Sequence, residues 1–122
     1  MININKEYHK LWLYEKRYAK HWISPSAHRS HSSTTFMIKP AKLTLDKIDE
    51  LNEQKLTDEE KLNLLIVFYE KQNHKELNSN DQRFPNSYYM DALQYLNREI
   101  KKIKQGEEVY IPKLSWYKKL FY

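Results

Sequence analysis

Apolar side chains recur along this chain at helical spacing, in stretches that differ in how much of the helix circumference they cover. Over residues 5–23, Tyr8, Leu11, Trp12, Tyr18, Ala19 and Trp22, with Ile4 just ahead, share one face when each residue is turned by about 100°. Lys6, Lys10, Arg17 and Lys20 share the opposite face, which makes this the clearest amphipathic helix in the sequence. Glu15 falls on the aromatic side, so it needs a tyrosine hydroxyl or a base as partner unless that face stays partly open.

Residues 62–69, LNLLIVFY, are apolar around nearly the whole circumference, the pattern of a central helix wrapped by others, with a dimer seam as the minor alternative. Thr57 and Glu60 form a capping box at its head. Upstream, Thr44 is placed to cap a helix carrying Leu45, Ile48, Leu51 and Leu56. Downstream, a long helix starts at Asn86 or Ser87, with Tyr89, Ala92, Leu93, Leu96, Ile100 and Ile103 inward and Arg98, Lys101 and Lys102 outward. Gly106 stops that helix in a left-handed position, and the lysines of its last turns suit the helix C-terminus.

The connections read differently. Residues 24–35, SPSAHRSHSSTT, are a loop, because Ser and Thr compete with the helix for backbone hydrogen bonds. Residues 34–39, TTFMIK, lean to a short strand closed by Pro40, residues 109–111 to a second, and residues 72–86 to an Asn-rich linker or long loop. The expected fold is therefore mainly α, a compact single domain over residues 1–122 with about four helices and up to two short β-strands. A winged-helix-like α+β arrangement is the alternative.

Composition narrows the function classes. At 122 residues, with one glycine and four prolines, the chain has the length of one domain built mostly of regular structure. Its 40% apolar and 14% aromatic content supports a core despite 30% charged residues. With no cysteine there is no disulfide framework, thiol nucleophile or Cys-ligated metal, which suits a reducing cytosol. A single glycine leaves no room for phosphate-cradling or nucleophile-elbow loops. The N-terminal residues interleave charge with apolar positions, and the longest apolar run is too short for a signal or spanning segment, so a non-exported, cytoplasmic protein without membrane association is expected. Lys outnumbers Arg seventeen to four, a bias shared with AT-rich genomes such as those of many phages and mobile elements.

The net charge of +5 is segregated: residues 1–42 hold eight Lys/Arg and two acids, residues 43–82 five and ten, residues 83–122 eight and four. Two basic ends flank an acidic middle, which steers a polyanion to one face if the ends meet in the fold; the plainer reading is lysine solvating exposed helices. His21, His28 and His31 lack the acid and the helical HExxH context of a metal site, so no cofactor is expected. Asp58, Glu59 and Glu60 suit a helix N-terminus without catalysis, and no enzyme activity is expected.

Basic residues interleaved with aromatics, at 16–22, 28–35 and 115–119, point to nucleic acid: cations neutralise phosphates, and exposed rings stack on unpaired bases. The candidate binding residues are Lys10, Arg17, Lys20, Arg29, Lys101, Lys102, Trp116, Tyr117, Lys118 and Lys119, with Trp12 and Trp22 assigned to the core. A helix-turn-helix over residues 44–71 is disfavoured, because its second helix begins DEEK and would carry acid into the groove. The competing class is a protein-binding accessory subunit or inhibitor of a nucleic-acid-processing enzyme, with tyrosines as interface anchors. An exposed Tyr/Leu patch away from lysine would favour that class; aromatics beside lysine on a basic face favour nucleic acid.

Overall fold

A computed structural model describes residues 2–23, 37–77 and 87–114. The amphipathic pattern of the first stretch becomes helix α1 (Ile4–Ile23), followed by α2 (Ile38–Asn52), α3 (Asp58–Leu77) and α4 (Ser87–Lys104). The fold is mainly α, and the described residues contain no strand.

Helix α1 is the element the others gather on. Trp12 donates its indole N–H to Asn52 Oδ1 at the end of α2 (2.9 Å), and Tyr69 of α3 donates its hydroxyl to Glu15 (2.7 Å). Tyr14 packs its ring on Tyr95 of α4 with centroids 5.0 Å apart. The core between them takes Leu11 and Trp12 from α1, Ile48 and Leu51 from α2, Leu62, Leu65 and Tyr69 from α3, and Tyr88, Tyr89, Leu96 and Ile103 from α4. Tyrosine supplies much of this core, which buries large area but leaves hydroxyls to be satisfied inside.

Three boundaries differ from the sequence reading. The expected strand at residues 34–39 is, from Ile38 on, the start of α2. Pro40 does not close a strand; it sits in the first helical turn, where the missing N–H has no intrahelical partner to lose. Thr44 is consequently no cap but a fully buried residue within α2, beside the hydroxyls of Tyr69 and Tyr88. Residues 72–77 of the expected linker belong to α3, which continues to Leu77, and residues 78–86 lie outside the described residues. Helix α3 is also not wrapped on all sides: Leu62, Leu65 and Tyr69 face inward, while Leu64 and Val67 are 42% and 44% exposed.

Two other local signals at the helix ends hold. Thr57 and Glu60 exchange hydrogen bonds of 3.0 and 3.1 Å as a capping box. Gly106, at φ +80°, ends α4, with its N–H on Ile103 O and the Glu107 N–H on Lys102 O, the paired bonds of a left-handed C-terminal stop. Residues 109–111, expected as a second strand, form no ladder; the amides of Val109 and Tyr110 go to the side chains of Glu7 and Glu99 instead. Without strands, the winged-helix-like alternative has nothing to build its wing from among the described residues.

Candidate nucleic-acid interface

The outward surface of α1 is set by what happens to its two acidic residues. Glu7 and Glu15 are the only carboxylates in residues 4–23, and both are buried, 3% and 1% exposed. The outer surface therefore presents Lys6, Lys10, Lys16, Arg17 and Lys20 with no exposed acid of its own helix.

Glu7 anchors the chain after α4. Its carboxylate accepts the Val109 N–H at 2.9 Å and pairs with the Lys10 ammonium at 2.9 Å. Burial pushes this carboxyl up, but Lys10, the Val109 amide and Lys6 outweigh it and hold it below its ordinary value, so it stays charged. Glu99 does the same from α4. It is 1% exposed, accepts the Tyr110 N–H at 2.6 Å, and pairs with Arg98 and Lys102 at 2.9 Å each. Burial again pushes the carboxyl up, and the Tyr110 amide with the two cations brings it below the ordinary value. The Tyr95 hydroxyl donates to the Tyr110 carbonyl, completing the fastening.

These bonds tie α1 to the segment after α4, for Glu7 and Val109 are 102 positions apart in sequence. Beside them, Lys10, Leu13, Lys16, Arg17, Lys20 and Ile111 line a shallow open groove of about 320 Å³. Leu13 is 47% exposed in its wall. Lys16 also leans to Asp49 of α2 at 3.8 Å, an exposed pair of little strength. Arg17 and Lys20 are exposed and carry no ion pair among the described residues. The other flank of α1 meets the acidic start of α3, with His9 Nδ1 3.0 Å from Asp58, and Lys61 lies over the Trp12 ring.

Of the residues expected from sequence, Lys10, Arg17 and Lys20 are thus brought to one groove, and Lys102 is tied through Glu99 to the segment that edges it. Lys101 is exposed on α4, with no contact that joins it to the groove. Arg29, Trp116, Tyr117, Lys118 and Lys119 lie outside the described residues, as do His28 and His31. Among the described residues no three His, Asp or Glu side chains converge as metal ligands. No described helix is long and apolar enough to cross a membrane.

The sequence reading missed four residues that shape this surface. Lys16 stood in the basic-aromatic run at residues 16–22 without being singled out, and Leu13 lies off the apolar stripe. Ile111 and Tyr110 were taken for strand positions, and only the long-range bonds from Glu7 and Glu99 show where they go. Compared with known proteins, the chain matches no family model, no curated protein and no solved structure.

Proposed function

We propose that this chain is a small, cytoplasmic, non-enzymatic protein that binds nucleic acid along the outer face of α1 and the groove closed by Ile111. The observation that carries the reading is the burial of Glu7 and Glu15, which leaves α1 with several outward cations and no exposed acid of its own. From Lys10 to Lys20 the stripe runs about 15 Å along the helix axis, long enough to face several successive phosphates. Leu13 and Ile111 give the groove an apolar wall, which sugar and base edges require and a purely solvated lysine face does not. The tyrosines agree with this choice: Tyr8, Tyr14, Tyr69, Tyr88 and Tyr89 are in the core and unavailable as anchors for a protein partner.

The test is the double variant Arg17→Glu, Lys20→Glu, measured with a labelled oligonucleotide at low salt. Binding falls at least about tenfold, since two attractive charges become repulsive, while helical circular dichroism is unchanged because both side chains are exposed. Lys10 is left intact. Reversing it would set a second carboxylate against buried Glu7 and confound binding with stability. Undiminished binding by the folded double variant removes α1 from the interface.

A second reading, docking onto a nucleic-acid-processing enzyme, draws on Leu64 and Val67, exposed one turn apart on α3. On that reading the charge reversal changes nothing, and Leu64→Lys with Val67→Lys abolishes the association.

A further inference from the structure

Resting on the nucleic-acid reading above, we propose that Tyr110 is a fixed stacking platform for an unpaired base, which makes single-stranded nucleic acid the ligand of the basic groove. Among the described residues Tyr110 is the aromatic member of the large exposed apolar side chains, 60% exposed, the others being aliphatic. Exposure of one tyrosine is unremarked by itself; the way its backbone is held is not. Its N–H is bound by Glu99, its carbonyl by the Tyr95 hydroxyl, and the preceding N–H by Glu7. Three bonds, two of them to charged carboxylates, therefore fix a short irregular segment whose most prominent side chain is left in solvent.

The placement suits a base. Ile111, the next residue, lines the groove with Lys10, Lys16, Arg17 and Lys20. Tyr95, whose hydroxyl holds the Tyr110 carbonyl, packs its ring on Tyr14 of α1 with centroids 5.0 Å apart, so the segment is fastened alongside that helix. A strand whose phosphates meet the cations of the groove therefore passes Ile111 and brings a base to the ring one residue before it. A ring held by its backbone loses little freedom when it stacks, and stacking requires a base face that is not already covered. In a duplex both faces of each internal base are covered by neighbours, so this arrangement selects unpaired strands.

Fluorescence anisotropy of the full chain with a labelled mixed-sequence oligonucleotide, single-stranded and as its duplex, tests this for DNA and for RNA of the same sequence. The wild type binds the single strand at least about tenfold more tightly than the duplex. Tyr110→Ala weakens single-strand binding roughly 10- to 100-fold with the salt slope unchanged, and Tyr110→Phe stays within about twofold of wild type. Single-strand binding undiminished in Tyr110→Ala, or a preference for duplex, overturns the platform while the groove reading stands. No binding of either form by the wild type at low salt overturns both.

Discussion

Helix α1 buries two glutamates about two turns apart, and their surroundings treat them in opposite ways. Glu15 enters a region of tyrosine rings, with the Tyr69 hydroxyl as its hydrogen-bond donor, and burial pushes its carboxyl up to about 8. Glu7, almost as inaccessible to solvent, lies at the shallow edge among Lys10, Lys6 and the Val109 amide, and is held below the ordinary value. Burial raises both, more so for the deeper Glu15, and only Glu7 has cations and an amide donor beside it to stabilise its charge. The core therefore keeps an uncharged acid as a hydrogen-bonding group, whereas the edge uses a charged one to fasten a distant piece of chain. Both choices have the same consequence outside, an α1 surface without exposed acid.

The comparison breaks most severely if a charge is placed in the core without an edge's partners. Leu65→Asp, one turn before Tyr69 and fully buried, costs more than about 4 kcal/mol and unfolds the protein, as read by circular dichroism. A folded variant with altered oligomeric state would instead mark this part of α3 as an interface. Next in size is the edge itself. Glu99→Ala deprives the Tyr110 amide and two cations of their acceptor and costs about 2–3 kcal/mol, with hydrogen exchange at Tyr110 becoming fast while the core amides stay slow.

A smaller effect sharpens the contrast through pH. Because the folded-state value of Glu15 is raised, its share of stability is full below about 4.5 and is lost as pH climbs through about 8. Glu7 and Glu99, whose values are lowered, contribute above 4.5 and lose their contribution as pH falls below it. Glu15→Gln, which still accepts from Tyr69, should therefore melt about 5 °C higher than wild type at pH 9 and match it at pH 5. Equal melting at both pH values would show that the folded core does not raise the Glu15 carboxyl above its unfolded value.

Much of the fold was legible because its signals are local. The stripe of α1 apart from Ile4, which is exposed, the inner face of α4, the Thr57/Glu60 box and Gly106 each depend on residues within a few positions, and each is found as expected. Glu15 was legible too, since a carboxylate on an aromatic face demands a hydroxyl or a base, and Tyr69 supplies it. Pro40 misled because proline marks a strand end and a first helical turn equally well. The run at residues 62–69 misled because an apolar side chain does not have to be covered, and Leu64 and Val67 are not. What no local pattern carries is the pairing of Glu7 and Glu99 with the amides of residues 109 and 110, and through it the position of Tyr110. The candidate site was read from charge, so its cations were found and its walls were not.

The central claim is that the acid-free face of α1 holds a polyanion. It is tested most directly by binding of the wild-type protein to a labelled single-stranded oligonucleotide across a salt series. Two to four phosphates neutralised by Lys10, Lys16, Arg17 and Lys20 predict a slope of about −1.5 to −3 for log K against log salt. No binding at low salt, or binding that does not weaken as salt rises, would contradict it.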